Sequence, residues 1–318
     1  MKVENQIWTE KYRPQTLDEV VGQRHVVDRL KSWIKSRNLP NMLFAGPAGV
    51  GKTTIALCVA KDLFGNHWRE NFQETNASDD RGINVVRGRI KDFAKTKPIG
   101  SDFKIIFLDE SDALTPEAQQ ALRRTIERYS NVCRFILSCN YSSRLIEPIQ
   151  SRMAVFRFKN LGREEITKYV KRVSDGEKLV IADGGIEAVY DTCEGDLRRA
   201  TNIMQSASAI GKISPENIYD VSSQVKPKEI QEMVSNAMNG KFIESRKILY
   251  NLLFEQGLSS EDIIKSIHRE VYDMEIPEEI KMRIIERLGE YEYRLNMGAN
   301  EDVQLNALLA QFALMRKE

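Results

Sequence analysis

Apolar runs alternate with amphipathic stretches over residues 1 to about 160, a pattern typical of parallel βαβ units. The run "KIIFLDE" is apolar without alternation, which predicts a central strand covered on both faces. We therefore expect an α/β domain built on a parallel five-stranded sheet. The predicted strands are Met42–Ala45, Phe72–Asn76, Lys104–Asp109, Arg134–Cys139 and Ala154–Phe158.

From Gly162 onward the strand pattern gives way to helical periodicity, interrupted by short polar segments such as "ADGG", "GKISPEN" and "QGLSSED". Ser260 precedes an acidic first turn and is the predicted cap of one helix. A break near Val225–Pro227 predicts that the helical part is divided in two. The expected domains are an α/β P-loop domain over 1–161, a small helical lid over 162–226 and an all-α C-terminal oligomerisation (collar) domain over 227–318.

A glycine-rich segment, "GPAGVGKT", joins the first predicted strand to a helix from Lys52 to about Phe64. It fits the pattern G-x-x-x-x-G-K-[ST], in which successive backbone N–H groups and the helix N-terminus cradle phosphates. Lys52 would reach the β- and γ-phosphates of a nucleotide, and the Thr53 hydroxyl would bind Mg²⁺. A turn that only caps a helix would not explain lysine and threonine at that spacing. The predicted cradle comprises Gly46, Pro47, Ala48, Gly49, Val50, Gly51, Lys52 and Thr53.

Two acids end the predicted central strand, in "IIFLDESD". A carboxylate pair at the end of a buried strand is costly unless a cation is near. In a P-loop fold this strand end lies beside the phosphates, so Asp109 can hold Mg²⁺. Glu110 can orient and deprotonate the attacking water. Acids that merely begin a loop would account for Asp109 alone, but not for both acids together with a P-loop.

A polar amide and several arginines are further candidates. Asn140 follows the strand "FILSC"; it either positions water or the γ-phosphate, or simply ends the strand. Arg152 follows a proline-containing loop, and Arg198 starts a helix after a Gly-Asp pair. Tyr12 and Arg13 precede the α/β core in "WTEKYRP". Each arginine alone is weak evidence for phosphate binding, because most surface arginines only make a protein surface polar.

The segment "RGINVVRGRIKDFAKTK" is a local basic patch with apolar residues at helical spacing. Its predicted buried stripe contains Ile83, Val86, Ile90 and Phe93, and Arg87, Lys91 and Lys95 form an outward ridge. A ridge of cations suits a phosphate backbone. The alternative is a solvated charged face.

Composition narrows these interpretations. The net charge is +1, so any attraction to nucleic acid must come from a local patch. The four cysteines form no C-x-x-C pair, and the three histidines are isolated, which favours buried thiols in a reducing compartment over disulfides or a metal cluster. The sequence has no signal-like N-terminus and no apolar run of 18 residues, so secretion and membrane spanning are not expected.

Taken together, several segments resemble the clamp-loader ATPases of the AAA+ class, in particular the small subunits of archaeal replication factor C. They lie between Trp8 and Ala200, in the family's order: "WTEKYRP", "GPAGVGKT", "NASDDRGI", "IIFLDESDAL", "ALRRTIE", "FILSCNY", "EPIQSRMAVFRF" and "GDLRRA". The family has proline and threonine where Ala48 and Val50 stand, and cysteine where Met153 stands. Backbone cradling survives the first two changes, and the third leaves Arg152 in place.

The resemblance implies specific roles for these residues. Glu110 would be the catalytic glutamate, Asn140 the sensor-1 residue and Arg198 the sensor-2 arginine. Arg152 would be an arginine finger that completes the site of a neighbouring subunit. Tyr12, Arg13, Val20 and Val21 would border the adenine, and Arg81, Arg87 and Lys91 would track DNA phosphates.

The resemblance also implies cofactors and partners. The cofactors would be Mg²⁺ and ATP, with ADP as product, and hydrolysis would be weak without neighbouring subunits. The assembly would contain one large and four small subunits of replication factor C, open the ring-shaped sliding clamp and load it onto primer–template DNA. It would be cytoplasmic, at the archaeal nucleoid, with no membrane partner. The alternatives are a non-hydrolysing scaffold subunit, or another AAA+ DNA motor such as a branch-migration helicase or an initiator.

Overall fold

The structure is a computed structural model that describes residues 6–78, 86–222 and 225–315, without the side chains of Val86 and Arg87. The chain forms two compact units, Met1–Ile213 and Ser214–Glu318. The three-domain division expected from the sequence remains a prediction. Within the described ranges, no helix is both long enough and apolar enough to cross a membrane.

The first unit is built on a five-stranded parallel sheet with the order β2-β3-β4-β1-β5. The predicted sheet is therefore confirmed, and two strand ends differ from the prediction by one residue. The fourth strand begins at Cys133, and the fifth ends at Arg157, although the N–H of Phe158 still donates to the carbonyl of Ala45 at 2.8 Å. The strands are β1 Met42–Ala45, β2 Phe72–Asn76, β3 Lys104–Asp109, β4 Cys133–Cys139 and β5 Ala154–Arg157.

Ten α-helices belong to the described part of the first unit, together with short 3₁₀ turns. Two of them begin at side-chain caps: Thr115 accepts from the N–H of Ala118, and Asp196 accepts from the N–H of Arg199. The helices are α1 Trp8–Lys11, α2 Arg24–Ser36, α3 Lys52–Phe64, α4 Trp68–Asn71, α5 Lys91–Lys95, α6 Pro116–Tyr129, α7 Glu147–Gln150, α8 Arg163–Glu177, α9 Gly185–Cys193 and α10 Leu197–Ile210.

Helices cover the sheet on both faces, which suits the apolar strand β3, buried from Lys104 to Leu108. Along β3, Ile105 and Phe107 join a core cluster with residues of α2 and α3. Ile106 and Leu108 point the other way, into a cluster with residues of α5 and α6. Because alternate side chains serve opposite layers, the carboxyl ends of the strands are held at one edge between two helical layers.

The basic segment is not the continuous helix expected from its apolar spacing. Val86–Ile90 forms a π-helical turn in which Gly88 has non-helical angles, with φ −87° and ψ −105°, before α5 begins. Ile90 is buried as predicted, whereas Ile83 lies outside the described residues. The expectation of one continuous helix was therefore wrong, because the chain kinks at Gly88. The predicted ridge of Arg87, Lys91 and Lys95 includes a side chain, that of Arg87, which lies outside the described residues.

The described residues of the second unit form helices joined by turns and loops, with no strand. Its core includes Ile230, Ile263, Leu288 and Phe312 from four different helices. The predicted cap at Ser260 was wrong by one residue: the Ser259 hydroxyl accepts from the N–H of Asp262 at 3.1 Å. The helices are α11 Pro215–Ser222, α12 Pro227–Met238, α13 Phe242–Tyr250 with a π-helical extension Asn251–Glu255, α14 Ser260–Glu270, α15 Glu278–Asn296 and α16 Glu301–Leu314.

Candidate nucleotide-binding and catalytic site

A cleft lies at the carboxyl edge of the sheet, where β1, β3 and β4 end. Ligands of open α/β sheets bind at this edge, because the loops there are free to converge. The cleft brings together residues that the sequence scatters over almost two hundred positions. Those predicted from the sequence are Tyr12, Arg13, Val20, Val21, Ala48, Gly49, Val50, Gly51, Lys52, Thr53, Asp109, Glu110, Asn140 and Arg198.

The glycine-rich loop passes close to neighbouring backbone before it enters α3. A Cβ on Gly46 would lie 2.4 Å from the carbonyl oxygen of Phe158, so a larger residue does not fit. Gly46 and Pro47 do not line the cleft, but their carbonyl oxygens each accept from the Lys52 ammonium at 2.7 Å. These contacts hold the lysine side chain along the inside of the loop.

Lys52 is the buried cation of the cleft. Its ammonium also donates to Oδ1 of Asn140 at 3.1 Å, which joins the loop to the end of β4. Burial lowers the pKa of Lys52, against the opposing influence of the Asp109 carboxylate. A desolvated ammonium in this position is a strong binding group for a polyphosphate, because the anion would compensate its burial.

Thr53 and Asp109 are in direct contact, with the Thr53 hydroxyl donating to Oδ2 of Asp109 at 2.6 Å. Hydroxyl and carboxylate oxygens are the ligands that Mg²⁺ prefers, and Mg²⁺ sites commonly take their remaining ligands from water and phosphate. Over the described residues there is no cluster of three or more His, Cys, Asp or Glu side chains arranged to hold a metal by itself. The pair therefore fits a Mg²⁺ that arrives with a nucleotide.

Glu110 follows Asp109 and is exposed on the cleft wall. Its backbone is in the left-handed region, with φ 51° and ψ 37°, a conformation that costs a non-glycine residue about 1–2 kcal/mol. Its N–H donates to Oδ1 of Asp109 at 3.0 Å. The turn directs the chain sharply away from the sheet, so that the two consecutive acids both reach the cleft.

The N-terminal segment, α8 and α10 also contribute to the lining of the cleft. Lys11 and Tyr12 both donate to Oε1 of Glu177, at 2.7 and 2.8 Å. The hydroxyls of Tyr169 and Thr201 share a hydrogen bond of 2.6 Å. Burial, reinforced by the hydrogen bond to Glu177, raises the pKa of Tyr12 to about 12, so its hydroxyl stays protonated.

Arg198 reaches the cleft from the first turn of α10. The start of this helix is tied to the glycine-rich loop, because the N–H of Leu197 donates to the carbonyl of Gly49 at 3.1 Å. Its cap, Asp196, packs against Gly49 so closely that a Cβ there would lie 1.8 Å from the carboxylate. The loop therefore determines where the Arg198 side chain begins.

Besides Gly46 and Pro47, two described residues of the predicted site, Lys91 and Arg152, are not part of this cleft's lining. Arg152 lies away from it, where its guanidinium pairs with Glu127 at 2.8 Å and donates to the carbonyl of Pro148 at 2.7 Å. Lys91 starts α5, remote in sequence from every lining residue. Arg81 and the side chain of Arg87 lie outside the described residues.

Sequence reasoning missed a second set of lining residues. Tyr169 and Arg172 lie one turn apart on α8, and Leu197 and Thr201 one turn apart on α10. Helical spacing alone marks each pair as sharing a face, but nothing local shows that this face borders a ligand. The others missed are Thr9, Glu10, Pro14, Thr54, Ser138 and Cys139.

Two family models match the chain. The model of the ATPase family associated with various cellular activities (AAA) matches residues 42–161, which contain the sheet and the glycine-rich loop. The model of the replication factor C C-terminal domain matches residues 225–311, within the second unit.

Solved structures with the same fold include the Thermotoga maritima RuvB Holliday junction branch migration motor. It aligns with a TM-score of 0.57 at 19% identity and covers 71% of this chain and 78% of that one. A point variant of the same protein aligns with a TM-score of 0.58 at 18% identity, over 96% of this chain and 91% of that one. At this identity the likeness concerns the fold alone.

Curated relatives are much closer in sequence, and all three described here are named replication factor C small subunit. The Methanococcus vannielii protein is 52% identical over 97% of this chain and 98% of its own length. The Archaeoglobus fulgidus protein is 51% identical over 98% and 99%. The Sulfolobus acidocaldarius protein is 48% identical over 97% and 96%. With near-complete coverage on both sides, this chain belongs to the family of archaeal replication factor C small subunits, AAA+ ATPases.

Proposed function

We propose that this chain is the small subunit of a clamp loader, which binds and hydrolyses ATP to open a sliding clamp and load it onto primer–template DNA. The observation that carries the proposal is the convergence of Lys52, Thr53, Asp109, Glu110 and Asn140 in one cleft, in a chain of this family. A subunit that served only as a scaffold would have no use for both acids beside a complete phosphate cradle.

Different residues of the cleft have different roles in the proposed hydrolysis of ATP. Lys52 and the backbone N–H groups of the loop bind the phosphates, and Asn140 holds the lysine through its amide oxygen at 3.1 Å. Glu110, exposed at the cleft wall, would accept a proton from the attacking water. Arg198 would sense the γ-phosphate from α10, whose start is tied to the loop at Gly49.

Thr53 and Asp109 would hold Mg²⁺, since their oxygens already meet at 2.6 Å. When bound, the ion would neutralise charge on the β- and γ-phosphates. Tyr12, Arg13, Val20 and Val21 would enclose the base, because they line the same cleft as the glycine-rich loop.

Arg152 would act in the site of a neighbouring subunit. Its position outside its own cleft supports this assignment, since a finger used in cis would have to lie within it. A finger of this kind contributes about 10³–10⁵ in rate, which would make an isolated subunit a poor ATPase.

The partners would be the large subunit, further copies of the small subunit, the sliding clamp and DNA. A cytoplasmic place at the nucleoid belongs to the same proposal.

A branch-migration motor is not favoured, although RuvB shares the fold. Such motors carry a winged helix after the lid, whereas residues 225–315 of this chain form helices joined by turns, with no strand, and residues 225–311 match the replication factor C C-terminal domain. The fold likeness extends over most of the chain, but at 18% identity it carries no function.

The decisive experiment measures ATP hydrolysis by this chain alone, with the large subunit, and then with clamp and primed DNA added together. We expect a low rate alone and a rate that rises with each addition, and that requires Mg²⁺. Clamp without DNA and DNA without clamp are the matched controls. Equal rates under all conditions would contradict the proposal, as would stimulation by a four-way junction but not by clamp and primed DNA.

A further inference from the structure

Three side-chain hydrogen bonds join the turn after β3 to the end of β4. The buried Ser111 hydroxyl donates to the carbonyl oxygen of Ser138 at 2.7 Å. Oδ2 of Asp112 accepts from two successive backbone N–H groups, that of Asn140 at 3.2 Å and that of Tyr141 at 3.1 Å. None of these contacts belongs to the regular pairing of the sheet.

They lie where that pairing has ended. The ladder between β3 and β4 runs as far as the pair Leu108–Leu137. Glu110, the proposed general base, and Asn140, which holds Lys52, both come after this pair. The backbone bonds of the sheet therefore do not set the position of one against the other, and the side chains of Ser111 and Asp112 span this interval.

A single hydrogen-bonded turn contains Asp112 and begins directly after Glu110. This is the 3₁₀ turn Ser111–Ala113, and the carbonyl of Glu110 accepts from the N–H of Ala113 at 2.8 Å. The backbone of Glu110 is in the left-handed region, with φ 51°. A non-glycine residue keeps this conformation only where its surroundings hold it, so the direction of the Glu110 side chain depends on the position of the turn. A carboxylate that anchors the turn to β4 would maintain this conformation.

We propose that Asp112 is a positioning residue for ATP hydrolysis, which holds the backbone of Asn140 in place relative to Glu110 through its one shared carboxylate oxygen. Asp112 does not line the cleft, and its hydrogen bonds go to the backbone at the end of β4 rather than toward the nucleotide. Burial lowers the pKa of Lys52 and the charge of Asp112 opposes this effect, which is why charge and acceptor position are tested separately. The inference rests on the proposed function, because it assigns a role within the same hydrolysis reaction.

The geometry distinguishes acceptor position from charge. Both N–H groups bond the same oxygen, so the amide oxygen of Asp112→Asn can accept from both. Asp112→Ala removes the acceptor, and Asp112→Glu keeps the charge but moves the oxygen by one methylene. Asp102→Ala is the matched control, because Asp102 is exposed in the loop before β3.

The test uses full-length chain assembled with the large subunit, clamp and primed DNA. It measures kcat and KM for ATP, the Kd of a fluorescent ATP analogue, and the melting temperature of each variant. We expect Asp112→Ala and Asp112→Glu to lower kcat about 10- to 100-fold, the loss typical of small misplacements of reacting groups. The nucleotide Kd should stay within about twofold of wild type, because the phosphate cradle is untouched. Asp112→Asn should keep at least about half of the wild-type kcat.

Several results would overturn the inference. One is wild-type kcat in Asp112→Glu. Another is a fall in Asp112→Asn as large as that in Asp112→Glu, which would show that an acceptor in the right place is not enough without the charge. A loss of nucleotide affinity equal to the loss of kcat would indicate a binding or folding role instead. If Asp112→Ala fails to fold, the Asn and Glu variants decide the matter by the same criteria. Absence of turnover in the wild-type assembly would remove the proposed function and this inference together.

Discussion

The carbonyl oxygen of Gly49 accepts a hydrogen bond of 3.1 Å from the N–H of Leu197, which places the glycine-rich loop against the first turn of α10. Gly49 has φ +68°, and its α-carbon lies against the Asp196 carboxylate that caps the same helix. A change in the loop is therefore transmitted directly to the helix that carries Arg198.

Gly49→Ala should disrupt this junction. Its Cβ would lie 1.8 Å from the Asp196 carboxylate and would require a left-handed alanine, so the cap or the loop must move. We expect ATP affinity to fall at least about tenfold, measured by titration with a fluorescent analogue. Gly289→Ala, inside α15 with open space around it, is the control and should raise stability by about 0.5–1 kcal/mol. An unchanged ATP affinity in Gly49→Ala would mean that the contact between the loop and α10 can rearrange without affecting the nucleotide site.

Glu110→Gln should separate binding from hydrolysis. The amide keeps the shape of the side chain but cannot accept a proton, so turnover should fall by about 10²–10⁴-fold while ATP binding persists. Single-turnover hydrolysis and equilibrium binding are the two measurements. Glu117→Gln, exposed on the first turn of α6, should leave both unchanged. Hydrolysis that survived in Glu110→Gln would refute the general-base assignment.

Arg152→Ala should abolish turnover of the assembly without weakening nucleotide binding by the isolated chain, because Arg152 does not line its own cleft. The expected loss of rate is about 10³–10⁵-fold. Arg123→Ala is a close control, since Arg123 and Arg152 pair with the same oxygen of Glu127, at 3.1 and 2.8 Å. A finger in trans predicts a much smaller loss for Arg123→Ala. Weakened binding by isolated Arg152→Ala would argue for a role in cis.

Glu177 should make the docking of α1 sensitive to acid. Burial alone would raise the pKa of its carboxyl, but hydrogen bonds from Lys11 and Tyr12 outweigh burial and lower it. A lowered folded pKa means that the contact contributes fully above the ordinary value of about 4.3. That contribution is lost as the pH falls through the lower folded value. We expect a fluorescence change of Trp8, on α1, in this range.

The matched variant for this titration is Glu177→Gln, which has no carboxylate to protonate. It should show no such step, while the signals of Trp33 and Trp68 remain as background in both proteins. A step of the same size in Glu177→Gln would assign it to another group.

Lys91→Ala should weaken binding to duplex DNA about equally for every sequence and lower the slope of log Kd against log salt by about one unit. Lys95→Ala is the comparison, because the Lys95 ammonium already pairs with Asp92 at 3.2 Å. Its effect on the slope should be smaller. DNA titrations at several salt concentrations measure the slope for both variants. An unchanged slope in Lys91→Ala would mean that Lys91 is an ordinary solvent-exposed lysine and not a contact to DNA phosphates.

Local patterns were sufficient to predict much of the first unit. The alternation of apolar runs with amphipathic stretches predicted all five strands to within one residue. It is clearest at β3, which is buried from Lys104 to Leu108 because the strand is covered on both faces. The spacing of glycines, Lys52 and Thr53 predicted the loop and the helix after it. Predictions from spacing failed where a single residue broke a pattern, as Gly88 does in the basic segment.

The tertiary structure decided which distant residues meet. Tyr12 bonds Glu177 across 165 positions, and Asp112 bonds the backbone of Asn140 across 28. Neither contact has a signature in the sequence, since spacing describes only neighbours on one helix or strand. The sequence by itself determined the elements and the phosphate cradle, because both depend on periods of a few residues. The joining of Tyr12, Tyr169 and Thr201 to the glycine-rich loop in one cleft, and the link between the turn after Glu110 and Asn140, depend on how the sheet order brings strand ends and helices together, which only the packed chain establishes.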